Sequence, residues 1–517
     1  MKNFHRILVL GTSALALAGC DASEIISPGT SGDIIINNPA PTPAPTSGGG
    51  GTGSVTPAAG CPTVGSQALA NAGTISGPSG EWRVCELPSQ IDDDMQLSRF
   101  DGVLYSLPGR VDVGEDGGSV PGAGDTDVTL TIDPGVIIYA GTPRSYLVVN
   151  RGNQINAVGT ASQPIIFTSR DNVLGLSSDS SIGQWGGVVL LGRAPVSDCR
   201  GGSFNLTPQS DCEQELEGAA LTTLFGGDTP DDSSGTMQYF QIRFSGFSLE
   251  NGSELQSLTT GGIGSGTVID HWQSFNSSDD GTEFFGGTVN MSQVVVVGAD
   301  DDSLDVDTGA QASLKDVIVV QRSGGGDNLI ELDSPDAPPP DGYDADANPQ
   351  TVLSVTNFTF IERSTKNSQA VRARGGAQLH LANGVIDTDA ETCIRLDEQI
   401  TIDAGPTFNS VVADCDPARP FDGEAGDDSD VLDIWNAGSN NDEAFTLTLS
   451  STYINGSNEN GVAVYDPTGL SSFFTTVPTN IGAVYPGNDA WFNGWVCTSS
   501  TAAFASSTGA CTDIPVF

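Results

Sequence analysis

A short β-forming segment recurs down the second half of this chain, and it restricts the available folds more than any other feature. Val268-Ile269-Asp270-His271-Trp272 returns as Ser292-Gln293-Val294-Val295-Val296 and again as Lys315-Asp316-Val317-Ile318-Val319. Aligning Asp270 with Gln293 and Gln293 with Asp316 gives a spacing of 23 residues twice. The motif comes back at Thr356-Asn357-Phe358-Thr359-Phe360 and at Ala382-Asn383-Gly384-Val385-Ile386. A second motif keeps step: Thr282-Glu283-Phe284, Leu304-Asp305-Val306, Ile330-Glu331-Leu332, Val371-Arg372-Ala373 and Ile394-Arg395-Leu396. Runs rich in Val, Ile and Phe that repeat every ~20–25 residues describe the stacked coils of a solenoid, each burying its apolar face against its neighbours. No Leu-x-x-Leu-x-Leu frame runs through the repeats, which excludes a leucine-rich horseshoe. The predicted class is all-β, a parallel β-helix with N- and C-terminal caps.

The N-terminus reads as an export signal. Lys2, His5 and Arg6 precede the apolar run Ile7–Leu17, which is too short for a stop-transfer helix. Its end, Leu17-Ala18-Gly19-Cys20, resembles the bacterial lipobox. The resemblance implies that residues 1–19 are a lipoprotein signal peptide and that Cys20 is acylated (palmitate among the expected chains), anchoring the protein to a membrane. Residues 20–60, with alternating Pro and Ala and the run Gly48–Gly51, form a tether whose random-coil ends lie roughly 35 Å apart. Residues 61–127 are expected to cap the solenoid, 128–400 to form its coils with loop excursions, and 401–517 to supply the final coils and a C-terminal cap sealed by Trp491 and Trp495.

Eight further cysteines support export. They fall into neighbouring couples, Cys61/Cys85, Cys199/Cys212, Cys393/Cys415 and Cys497/Cys511, separated by 24, 13, 22 and 14 positions. Since a solenoid brings only near neighbours together, sequential disulfides are expected. Zinc is excluded by the lack of any Cys-x-x-Cys and by the presence of only three His. With 19 basic against 65 acidic residues, a net charge of −46, nucleic acid is excluded as a partner, because phosphates would be repelled.

Leu130-Thr131-Ile132-Asp133-Pro134-Gly135-Val136-Ile137-Ile138, then Leu147-Val148-Val149 and Pro164-Ile165-Ile166-Phe167-Thr168-Ser169, resemble the opening coils of right-handed parallel β-helix proteins of the pectate-lyase-like superfamily. Trp185–Pro195, Phe225–Gly235 and above all Asp279-Asp280-Gly281-Thr282-Glu283-Phe284-Phe285-Gly286-Gly287 resemble a narrower family of bacterial secreted or lipid-anchored β-helix proteins. The resemblance covers roughly residues 100–515. It implies a right-handed coil, a place in the cell envelope as an outer-membrane lipoprotein, periplasmic or surface-exposed, and a TonB-dependent receptor as a partner.

Candidate chemistry gathers on the second motif. With Leu304/Val306 and Ile330/Leu332 pointing inward, Glu283, Asp305 and Glu331 form one outward column, continued by Arg372 and Arg395, with rungs about 4.8 Å apart. Two like charges at that spacing repel by roughly 1 kcal/mol in water and about 3–4 kcal/mol at an effective dielectric of 20. Asp279, Asp280, Asp300, Asp301, Asp302, Asp307, Asp327 and Asp333 crowd the same column, so it calls for a counter-cation, protonation or full solvation. Hard oxygen ligands at this density suit calcium.

Three functions follow. One is a calcium-stabilised binding or envelope lipoprotein without catalysis. Another is a polysaccharide lyase or glycoside hydrolase. For it the superfamily resemblance implies calcium-binding carboxylates beside a proton-abstracting arginine, here Arg372 or Arg395, and an acidic polysaccharide substrate. The last is a structural adhesin. Asp279-Asp280 and Asp301-Asp302 match the acid pair of polygalacturonase-like enzymes, but their Gly-His-Gly is missing. The insertion 333–349, with Tyr343, reads either as a solvated loop or, together with the excursions at 196–236 and 246–262, as one wall of a groove.

Overall fold

The computed structural model describes residues 54–517, apart from short segments at 201–202, 205–208, 220, 251–252, 335–348, 365–368 and 424–427. The signal peptide, Cys20, the tether up to residue 53 and most of the insertion with Tyr343 therefore lie outside the described residues. The repeats become a right-handed parallel β-helix built from two long sheets, a wide one of 15 strands and a narrow one of 11. Among the described residues no helix is long and apolar enough to cross a membrane.

The narrow sheet stacks the second motif in register: Thr259, Glu283, Asp305, Glu331, Arg372 and Arg395 pair rung to rung. Strand alternation sends Leu304, Val306, Ile330, Leu332, Val371 and Ala373 into the core, all fully buried. In the wide sheet one residue per rung departs from strand geometry. Tyr239, His271, Gln293, Asp316, Asn357, Asn383 and Ser410 all have φ between 50° and 55°. The strand bends at each, so the wide sheet supplies two sides of the coil and the narrow sheet the third. Earlier rungs make the same corner with a longer connection: Gln154–Val158 and Ile165–Ser169 are separate strands that pair with the two halves of Gly235–Arg243, on either side of Tyr239.

The register corrects one alignment. Asp270 pairs with Ser292, and Trp272 with Val294, so His271 is the residue that shares a column with Gln293. The corner selects for backbone conformation, a weaker signal than the polar character that Asp270 and Gln293 have in common.

Stacking also begins earlier than residue 128. The antiparallel hairpin Ala70–Gly77/Gly80–Glu86 closes the N-terminal end. Its second strand already pairs in parallel with Val103–Leu107, and Gln90–Ile91 with Arg110–Val113. At the other end, the helix Asp428–Ala437 buries Val431 and Trp435, the latter against Phe408 and Phe421, and plugs the last rung. The chain does not stop there. From about residue 440 it runs back over the outside of the wide sheet as an irregular strap. Asn480 and Ala483 meet Asn357 and Thr359, Asn488 meets Asp316, Cys497 meets Gln273, Cys511 meets Arg243, and Phe517 reaches Arg99. Trp491 and Trp495 thus cover the flank of the coil, where Trp495 is buried with Phe275, Val295 and Val297, and do not seal its end. All four disulfides are sequential: Cys61–Cys85, Cys199–Cys212, Cys393–Cys415 and Cys497–Cys511.

Candidate metal centre

On the outer side of the narrow sheet a groove of about 610 Å³ follows the rungs that begin at Thr282, Leu304 and Ile330. Ten acidic side chains line it, with Arg374 the one basic side chain among the described lining residues. Two ladders build the floor. One is the column Glu283, Asp305, Glu331. The other lies three residues earlier in each rung, where Gln256, Asp280, Asp302, Asn328 and Gln369 take equivalent places. Members of this second ladder hold one another: Asp280 Oδ1 accepts the Asp302 amide at 2.9 Å, Asp302 Oδ1 accepts Asn328 Nδ2 at 2.9 Å, and Gln369 Nε2 donates to Asn328 Oδ1 at 2.9 Å. Asp279, Asp301 and Asp327, each one residue before a ladder position, form the rim.

Carboxylate oxygens converge in three groups, Asp280/Glu283/Asp305, Asp279/Asp280/Asp301 and Asp301/Asp302/Asp327, each with its oxygens within 4.8 Å of one another. Asp280, Glu283 and Asp302 are at most 7 % exposed. Burial, followed by the charges of Asp305, Asp307 and Asp279, holds the Glu283 carboxyl well above its ordinary range. Burial and then Asp279 do the same to Asp280, burial and Glu331 to Asp302 and Asp305, and burial and Asp305 to Asp307.

Glu283 stands apart. Among the described residues it has no hydrogen-bond donor and no ion-pair partner, yet it is buried and lines the groove. A carboxylate in that position is costly unless something positive meets it. All-oxygen donors of this kind fit a hard divalent cation.

The predicted metal set divides. Asp280, Glu283, Asp302 and Asp305 converge in the groove. Glu331 closes its lower end, bonded to Arg372 at 3.3 Å and to Arg374 at 3.2 Å. Asp307 and Asp333 stand one column away; Asp307 accepts the Thr308 amide, and Asp333 pairs with Arg374 at 3.1 Å. Arg372 also bonds Asp397 at 2.9 Å, Arg395 bonds Asp397 at 2.6 Å, and Arg419 bonds Asp422 at 2.7 Å. Neither Arg372 nor Arg395 lines the groove.

Asp279, Asp300, Asp301 and Asp327, expected around the column, line the groove as well, whereas Glu217, Gln256 and Ser278 line it without such an expectation. Counting back three residues from the acidic column would have found Gln256. Glu217 sits in an excursion, where no repeat indicates its position.

The family model described as a pectate-lyase like beta helix domain matches residues 123–416. No curated protein and no solved structure matches the chain.

Proposed function

Given that the chain belongs to the family of pectate-lyase-like β-helix domains, we propose that it is a cell-envelope binding module that holds calcium in its acidic groove and, through it, an anionic polysaccharide that it does not cleave. The observation that carries this reading is Glu283, a buried carboxylate with no described partner, facing Asp280 and Asp305. Calcium would sit among these three, supplying the positive charge they lack, and its six to eight oxygen ligands leave places for an outside carboxylate. Glu283 and Asp305 would orient the ion; Gln256 and Ser278, also in the lining, offer neutral oxygens.

Binding is favoured over cleavage by the arginines. Arg372 lies between Glu331 and Asp397, and Arg395 beside Asp397 and Asp422, so their donors face the ion-pair ladder and stand away from the groove. The lipobox and tether support placement on the outer membrane, where a TonB-dependent receptor would be the partner receiving the captured polymer. Retention of the full chain on immobilised polygalacturonate or alginate tests this. Calcium should hold it and chelator should release it; passage through the column with calcium present would sink the proposal.

A hydrolase is the second reading. It is favoured by carboxylate oxygens within 4.8 Å of one another, with burial raising the proton affinity of Glu283, an arrangement that suits acid and nucleophile roles. Release of shortened or unsaturated oligosaccharides during the same experiment would replace the first reading with an enzymatic one.

A further inference from the structure

The outward column that floors the groove is covered at one end and returns to the surface at the other. Above Glu283 its successive members are Thr259, Val189 and Val148, paired rung to rung and all fully buried. On a bare sheet two outward valines would face water. Here the excursion clipped by Cys199–Cys212 lies over them. Its Leu216 and Phe225 form one buried cluster with Val148 and Val189, joined by Phe285 from the rung of Glu283. Glu217, next to Leu216, lines the groove from that side.

Past Glu331 the cover thins. Side-chain exposure along the column rises from 12 % at Glu331 to 26 % at Arg372 and 35 % at Arg395. The charge changes in the same direction. From Glu331 down to Asp422, acids and arginines alternate in one run of ion pairs through Arg372, Asp397 and Arg395. A polyanion lying over that run meets balanced charge. At the covered end stands Glu283, 7 % exposed, opening into the groove with no described hydrogen-bond or ion-pair partner.

We infer that the groove seats the end of an acidic polysaccharide chain: its terminal uronate meets the ion held by Asp280, Glu283 and Asp305, and the rest of the chain passes out over Arg372 and Arg395. The inference rests on the calcium reading above and adds which part of the polymer is bound. The rung of Glu283 lies directly below Thr259. A polymer following the coil straight through would have to pass where Val189 and Val148 are packed under the excursion. One direction along the coil is left to it, so the residue that reaches the ion is its last.

The test counts chain ends. Polygalacturonate is partly hydrolysed to a series of shorter mean lengths, and each preparation is titrated with calcium-loaded full-length chain by calorimetry. A single protein per polymer chain at every length is the expected result, so halving the mean length should double the protein bound per gram of polymer. A polymer recognised along its length, or lying across the groove, instead offers more sites as it lengthens. Bound protein per chain that grows in proportion to length therefore overturns end recognition and leaves the calcium reading standing. No binding at any length with calcium present overturns both.

Discussion

A left-handed residue recurs at the corners of the wide sheet from Tyr239 to Ser410, and its identity sets a local cost. An L-residue in that region loses about 1–2 kcal/mol unless a short polar side chain can bond locally, as in Asn or Asp. Asp316, Asn357 and Asn383 meet that condition, whereas Tyr239, His271 and Gln293 do not. Gln293→Asn should therefore stabilise the fold by about 0.5–1 kcal/mol, read as a higher urea midpoint at unchanged slope. A lower midpoint would mean that the 3.0 Å bond from Gln293 to Asp316 outweighs the backbone strain.

Asp316 itself makes a pH prediction. Burial pushes its carboxyl up to about 6, against the bonds from Gln293 and Asn488 and the charge of Lys315. The folded state therefore holds this proton more tightly than the unfolded chain does. Its contribution to stability is present below about pH 4 and is lost as pH rises through 6, amounting to at most about 3 kcal/mol. Asp316→Asn should flatten that part of the stability–pH curve; an unchanged slope between pH 4 and 6 would show that the group titrates normally.

At the scale of the strand ladder the same sign applies several times over. Asp280, Glu283, Asp302, Asp305 and Asp307 are all held above their ordinary range, by burial first. Metal-free protein should lose stability as pH rises above the ordinary carboxylate range, and calcium should restore it at neutral pH. A cation at a hundredfold excess over its dissociation constant stabilises by about 2.7 kcal/mol. Chelator should thus lower the melting temperature at pH 7, and Asp305→Asn should shrink that difference; a melt indifferent to chelator at low salt would remove the cation.

The acidic column was legible because a period of two places Glu283, Asp305 and Glu331 outward between apolar neighbours. The burial of Glu283 was not legible, since alternation along one strand says nothing of what covers it from outside, and Glu217, whose charge acts on it, sits in a non-repeating excursion. The supporting ladder was half visible: Asp280 and Asp302 stood out as acids, while Gln256, Asn328 and Gln369 hold the same place with neutral side chains.

For the molecule as a whole the coil was legible and the strap was not, because the two rest on different physics. Rungs repeat, so their apolar positions reinforce one another along the sequence. Residues 440–517 carry no such period, and they dock through single contacts to distant partners. Gln273 bonds both the amide and the carbonyl of Cys497, 224 positions away. Arg243, fully buried and pushed down to about 9 by that burial, donates to the carbonyls of Cys511 and Asp513. Phe244, Phe275, Val295, Val297, Ile318 and Val320 would otherwise present an apolar flank to water, and the strap covers it with Trp495, Phe492 and Phe504.

Truncating Trp495 to Ala should cost about 3–5 kcal/mol for a side chain of this size in a packed site. Ending the chain at Asn440 should act on one side of the coil only. Hydrogen exchange should speed up in Gly235–Arg243, Val268–Phe275 and Thr288–Val297, whose outer faces lose their cover. Strands Leu304–Asp307 and Ile330–Leu332 of the narrow sheet should keep their protection, because rung stacking and the core hold them. Reducing Cys497–Cys511 in the intact chain should give a weaker version of the same pattern, since the strap keeps its other contacts. Uniform loss of protection across both sheets would show that the strap is integral to the coil; unchanged protection in the wide sheet would show that the flank does not depend on it.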